Sequence, residues 1–412
     1  MELPTAAGWR RTLCEIPTMK SLLFSAGCAL AMLTPLAFAG DASDPAATPA
    51  GSLEVVARFN GPGPSGIAVT PQGRVFVGFP RHAENHLGMT LGELVDGRLM
   101  PFPSRAMSLP SQAPFAQWLV SVHGMTTDTR GHLWVIDDGK RAGIDGIPDG
   151  AAKVVGFDPS TGKVIANVVL KAPALLQDSH MNDLRVDLTH GSKGTAYVSD
   201  SSFGTSPALV VVDLASGRQR RVLGSHVSTQ PQAGFVAILD GKPLRYDAKH
   251  PTFPVGGADA ITLSPDSKTL YYAPLTSRAL YSIPTAVLSD FDASEATLAA
   301  AVSDLGEKGF ADGMATDAQG RLYITDGEHD AILRRWPDGH LDTVVRDPRI
   351  VWPDGIATTD KYVYVTLGQW DRLPGFNGGH DLRQPPYLLV RAPIDPAPTL
   401  DASKAADPED GR

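Results

Sequence analysis

Six polar side chains hold the same place in a segment that recurs along this chain: Ser65, His123, Asn182, Asp259, Asp312 and Asp354. Brought together, three carboxylates cannot all stay ionised, because like charges at short range raise one another's pKa. A cation, shared protons, or water and backbone N–H groups must absorb the charge. The oxygen donors of Asn182, Asp259 and Asp312 suit a hard divalent ion, Ca2+ or Mg2+, better than Zn2+. Such an ion polarises a carbonyl and lowers the pKa of a bound water. His123 is then placed to act as a general base, with Asp354 as a second proton-transfer group. That constellation suits hydrolysis of an ester or lactone, or proton shuffling in an isomerase. A local reading competes with it. Asp ahead of Gly, as in Asp312-Gly313 and Asp354-Gly355, also caps a turn through its own backbone.

These residues meet only if the segments that carry them are arranged about one axis. Each segment is a short apolar strand, a polar turn and a second strand rich in aromatic and β-branched residues. Two examples are Val122-His-Gly-Met-Thr-Thr-Asp-Thr-Arg-Gly-His-Leu-Trp-Val135 and Ala311-Asp-Gly-Met-Ala-Thr-Asp-Ala-Gln-Gly-Arg-Leu-Tyr-Ile324. Period-two alternation with turn punctuation marks antiparallel strands. Two further strands follow most segments, as in Ala331–Trp336 and Leu341–Val345 around Pro-Asp-Gly. Six units of four strands predict an all-β fold, a six-bladed β-propeller of antiparallel blades spanning residues 53–395. Its ring is expected to close by pairing the N-terminal strand Leu53–Phe59 with Tyr387–Arg391, since open edges are a liability. The innermost strand of each blade then lines a central channel, and the six polar residues converge at its mouth. Phe203, Phe310 and Trp352 precede or follow channel-side strands and are candidates to stack a ligand. Trp134, Tyr197, Tyr272, Tyr323 and Tyr364 share a second-strand position and are expected in the core between blades. Gly224–Gly257 reads as a long loop of the third blade, and Thr285–Val302 as one or two short helices.

The formal net charge is −9, and no basic stripe is present, which excludes nucleic acid as a partner. Lys20, the apolar run after it and Ala37-Phe-Ala-Gly40 read as a signal peptide over residues 1–39, with Met19 as an alternative start. Export to the periplasm or the medium is therefore expected. Residues 40–52 and 396–412, rich in Ala, Pro and Asp, read as a linker and a tail without fixed structure. Both cysteines, Cys14 and Cys28, fall in the leader, so the remainder has no disulfide and no thiolate site. No further stretch is apolar for long enough to span a membrane.

Several phrases resemble the yellow/major royal jelly protein family. They are Leu133-Trp-Val-Ile-Asp-Asp-Gly139 with Val155-Gly-Phe-Asp-Pro-Ser-Thr-Gly162, then Ala196-Tyr-Val-Ser-Asp-Ser-Ser202 with Ala208-Leu-Val-Val-Val-Asp213. The most specific is Asp259-Ala-Ile-Thr-Leu-Ser-Pro265 with Leu270–Tyr281. The resemblance runs from about residue 55 to 395. It implies a six-bladed propeller, export, and a channel that in some relatives holds small aromatic amines; family members have been linked to dopachrome conversion. A weaker likeness to gluconolactonase-type propellers implies a divalent cation in the channel. Asn182-Asp183 and Asp312-Gly313 match two ligand positions of that group. Asp259 stands where Asn is usual, and Ser65 where a glutamate is expected. Three functions follow as expectations: a binder of a small molecule at the channel mouth, with isomerisation or hydrolysis there; a divalent-metal-dependent lactonase; and a non-catalytic interaction module.

Overall fold

The computed structural model describes residues 50–202, 206–245 and 256–395. The leader, most of the linker, the C-terminal tail and Phe203 lie outside the described residues.

Six four-stranded antiparallel sheets form the blades, each ordered from the channel outward. Blade 1 comprises Ile67–Val69, Val75–Gly78, Leu91–Val95 and Arg98–Pro101. Blade 2 comprises Val122–Thr127, Leu133–Asp137, Lys153–Asp158 and Lys163–Val169, and blade 3 Met181–Asp187, Thr195–Asp200, Ala208–Asp213 and Gln219–Val222. Blade 4 comprises Ala258–Leu263, Thr269–Pro274, Ala279–Pro284 and Ser303–Glu307, and blade 5 Met314–Thr316, Leu322–Asp326, Ala331–Arg335 and Leu341–Arg346. Blade 6 takes Pro353–Thr358, Tyr362–Leu367 and Tyr387–Pro393 from the end of the chain and Glu54–Phe59 from its beginning. In that closure Glu54 pairs with Arg391 and Phe59 with Tyr387, antiparallel, so the edge expected to be the fold's liability is sealed. The helices expected after blade 4's third strand are Thr285–Leu288 and Glu295–Ala300, the second capped by the Ser294 hydroxyl.

The repeat owes its shape to one recurring aspartate. Asp128 ends the innermost strand of blade 2 and accepts the backbone N–H groups of Arg130 and His132 and the indole N–H of Trp134. Asp317 does the same for Gln319, Arg321 and the Tyr323 hydroxyl. One carboxylate thus shapes the hairpin turn and satisfies the polar tip of the aromatic that fills the space between blades. All five second-strand aromatics are buried, Tyr197, Tyr272 and Tyr323 completely. Asp128→Ala strands a buried indole N–H and two turn N–H groups. It should cost about 2–3 kcal/mol in equilibrium unfolding.

Glycine recurs at the innermost strands because neighbouring backbones touch there. A Cβ at Gly313 would overlap the Asp354 carbonyl, and one at Gly355 the Ser65 carbonyl. The residues just before these glycines are held at the narrowest part of the ring.

Candidate functional site

All six residues of the repeated position lie at the channel, with Asn182, Asp259, Asp312, Asp354 and His123 lining a cavity of about 360 Å3 at one mouth. Ser65 sits just beneath, at the waist. Arg185 of blade 3 crosses below, ion-paired to Asp183 at 2.9 Å and donating to the Met314 carbonyl of blade 5.

Two arcs of contacts ring the cavity floor. On one, the Ser65 hydroxyl lies 3.4 Å from His123 Nδ1 and hydrogen-bonds Asp354, linking blades 2, 1 and 6. On the other, the Asn182 amide donates to Asp259 at 2.8 Å, and Asp259 hydrogen-bonds Asp312, linking blades 3, 4 and 5. Burial, reinforced by Asp312 and Asp354, holds the Asp259 carboxyl well above the ordinary carboxylate range. Burial likewise raises Asp312 and, with the charge of Asp312, lifts Asp354 far above that range. Burial thus favours the neutral form of these carboxyls, and Asp312 Oδ2 accepts from the Trp352 indole. Asp354 accepts from the Trp370 indole at 2.8 Å. Two indole N–H groups thus donate to the carboxyl cluster from the wall above it.

The walls are apolar. Phe310, Trp352, Trp370, Phe376, Leu244, Leu275 and Leu373 surround the opening. Phe310 meets Trp352 edge-on at 5.6 Å and stacks on Phe235 at 6.0 Å. Phe235, Leu239 and Leu244 come from the long segment between blades 3 and 4, which also carries the small hairpin Ile238–Leu239 with Lys242–Pro243. That insertion packs on the channel mouth. Trp352 has φ 44°, a left-handed conformation rare for a bulky residue, and its indole bond to Asp312 holds it there. Phe310 and Trp352 stand where the sequence places them.

Beside His123, two further imidazoles enter the cavity that the repeat alone does not mark. His82, in the loop after Val75–Gly78, stacks on His123 with ring centroids 5.0 Å apart, and His180 meets them edge-on at 4.8 and 4.9 Å. Burial pushes His123 down to about 4 and His82 and His180 well below the ordinary imidazole range, so all three rings are neutral. Their supports are built into the blades. Arg81, fully buried, donates to the carbonyls of His86, Gly88 and Val120 and so fixes the loop that bears His82. Asp200, paired with Arg221 at 2.6 Å, accepts the backbone N–H of His180 at 2.8 Å and the Ser179 hydroxyl. Asp137 does the equivalent in blade 2 for the N–H groups of Val120 and Ser121, with Lys153 as its partner at 2.6 Å. The floor is thus divided: imidazoles on blades 1 to 3, carboxyls on blades 4 to 6.

Among the described residues no helix is long and apolar enough to cross a membrane. No curated protein matches the chain in sequence. Solved propellers are similar to it over most of their length. They include virginiamycin B lyase from Staphylococcus aureus (14% identity, 84% of this chain and 99% of that one, TM-score 0.46). A gluconolactonase from Xanthomonas campestris is similar at 12% identity, over 83% of this chain and 89% of that one, with a TM-score of 0.46. A calcium-binding regucalcin from Agrobacterium tumefaciens is similar at 16%, over 82% and 93%, with a TM-score of 0.47. Likeness at this distance says nothing about ligands. The family profile described as Major royal jelly protein matches residues 120–381, from blade 2 to the loop before the last strand. It spans more than half of the sequence and every residue of the repeated position except Ser65, and on that ground the chain belongs to the major royal jelly protein family.

Proposed function

We propose that this protein is an exported propeller that binds a small aromatic cation, of the catechol- or indole-amine class, in the cavity at the channel mouth. The observation that carries the reading is the pairing of an aromatic wall with a carboxyl floor. Trp352, Phe310 and Trp370 offer faces and edges to a ring, while Asp259, Asp312 and Asp354 lie beneath. A bound ammonium would favour the charged form of carboxyls that burial otherwise keeps protonated. The volume suits a molecule of one or two rings. The family's channel, which holds aromatic amines in some members, gives the same expectation, and the leader motif supports export.

Affinity should rise with pH. The three carboxyls have raised pKa values, so acid leaves the floor neutral and unable to hold a cation. Isothermal titration with tryptamine is expected to show binding at least about tenfold tighter at pH 8 than at pH 5. Asp354→Asn should weaken binding and flatten that dependence. Equal affinity at the two pH values, or tighter binding by Asp354→Asn, would contradict the proposal.

A second reading is carried by the contact between the Asp259 and Asp312 carboxyls. Asp259 and Asp312 together can donate and accept one proton beside a neutral imidazole, which is what an isomerase or a hydrolase needs. The hard-cation alternative has weaker support, because Asn182 and Trp352 already donate to the oxygens that would face Ca2+ or Mg2+. Titration with Ca2+ in a thermal-shift experiment separates the two, since an ion that binds only the native state raises the melting temperature progressively with its concentration above Kd.

A further inference from the structure

We propose that His82, His123 and His180 form a binding site for a borderline divalent transition-metal ion, of the class of Zn2+ or Co2+. It is distinct from the oxygen-donor site considered for Asn182, Asp259 and Asp312, and it does not depend on an organic ligand entering the cavity.

Three blades each bring one imidazole to the same point. His82 follows the second strand of blade 1, His123 lies in the first strand of blade 2, and His180 precedes the first strand of blade 3. One ring nitrogen from each lies within 4.8 Å of the others. His123 and His180 are buried, and the His82 side chain is 22% exposed. A neutral imidazole has one donor nitrogen and one acceptor nitrogen. Three rings packed against each other need either matched donors or a shared electrophile. The structure leaves the need unmet: His82 Nδ1 is buried and has no hydrogen-bond partner. So does Asp138 Oδ2, which lies 3.8 Å from His82 Nδ1 and 3.5 Å from His180 Nδ1. Orphaned polar atoms in a protein interior carry an uncompensated desolvation cost. Two of them converging on one histidine cluster mark a place where something binds.

The donor set selects the ion. Imidazole nitrogens suit Zn2+, Co2+, Ni2+ and Cu2+ and are poor ligands for Ca2+ and Mg2+. Three histidines with an adjacent carboxylate match the pattern in which a carboxylate orients metal-bound imidazoles from behind. Asp138 is itself fixed: its N–H donates to the Ser121 carbonyl, and its Oδ1 accepts from the Lys140 N–H. The Arg81 anchor gives the His82 loop the rigidity that a preformed site needs. With three protein ligands, a tetrahedral ion keeps one position open. The three imidazoles line the same cavity as Asp259, Asp312 and Asp354. A ligand atom held at that open position would lie in a cavity these carboxyls also line.

The test uses the whole chain, stripped with a chelator and titrated with Co2+ and Zn2+. Co2+ is expected to give the visible absorption of a nitrogen-ligated ion, and Zn2+ to raise the melting temperature and displace it. His82→Ala should lower Zn2+ affinity at least about 100-fold, and Asp138→Asn about 10- to 100-fold. His82 lies in a loop outside the sheets, so its removal should leave the β-sheet circular dichroism intact; His180→Ala provides a second probe. The proposal is overturned by wild-type protein that binds neither ion. It is equally overturned if His82→Ala retains wild-type affinity, or if Asp259→Asn abolishes ion binding that His82→Ala leaves untouched.

Discussion

Replacing Arg81 by methionine should destabilise the protein by about 3 kcal/mol and release the loop that presents His82. The side chain is fully buried, and the pKa of its guanidinium is lowered to about 10 by that burial. Its donors go to backbone carbonyls of His86, Gly88, Ser108, Leu119 and Val120, which tie the loop of blade 1 to the segment entering blade 2. Methionine keeps the unbranched apolar stem but lacks the guanidinium, so those carbonyls lose their donor. The loss is partly offset because a buried charge is removed as well. Lysine keeps the charge and loses the planar fork, so Arg81→Lys should fall between wild type and methionine. Urea unfolding gives the energies. The His82 ring should broaden in NMR spectra of the methionine variant while His190, on blade 3's far turn, stays unchanged. A methionine variant as stable as wild type would mean that the carbonyls find other donors.

The second large effect concerns pH. Each carboxyl of Asp259, Asp312 and Asp354 has a folded pKa above its unfolded value of 3.8. The folded state then binds more protons than the unfolded one. Stability is greatest at low pH and falls as pH rises through the folded values. The buried imidazoles act in the other direction. Their folded pKa values lie below 6.5, so their contribution is complete above that value and is lost as pH falls toward about 4, the value His123 reaches. Between pH 4 and 6.5 the two groups oppose each other. Above 6.5 the imidazole contribution is complete, and the buried Lys308 amine, lowered to about 7 by burial, adds stability as pH rises and opposes the carboxyls, so their part is read from the difference between wild type and a variant that lacks them. The double variant Asp259→Asn with Asp354→Asn should remove most of the carboxyls' part of the pH dependence. At pH 8 its melting temperature is expected above wild type by several degrees, with a smaller difference at pH 5. It should also lose amine binding. A site whose removal stabilises the fold is one kept for function rather than for folding. Calorimetry across pH 5 to 9 in the presence of a chelator provides the check. A double variant less stable than wild type at pH 8 would contradict the assignment of raised pKa values.

The fold was legible because its signals repeat. Period-two strands, the Asp that ends the first strand and the Gly where backbones touch occur in register several times, and each occurrence supports the others. The six converging polar residues follow from that register alone, since each precedes an aligned position. The other half of the cavity floor follows from no repeat. His82 lies in a loop whose length is peculiar to blade 1, and its position depends on the buried fork of Arg81, a tertiary interaction that no local pattern announces. Trp370 is similar, in a segment between the strands of blade 6 with no counterpart elsewhere. His180 left a trace that could have been read. It stands two residues before Asn182 at a strand entrance, and alternation places residues two apart on one face. Asp138 was visible only as the second of two adjacent aspartates. Its neighbour Asp137 faces the N–H groups of Val120 and Ser121, so the pair divides between a structural and a site-facing role.

The central claim is that the carboxyl floor and the indole wall together recognise one small aromatic cation. A crystal structure grown with tryptamine tests it most directly. The expected result is density in the cavity with the ammonium within 3.2 Å of Asp259, Asp312 or Asp354 and the ring against Trp352 and Phe310. Tryptamine bound elsewhere, with the cavity holding only water at saturating concentration, would contradict the account.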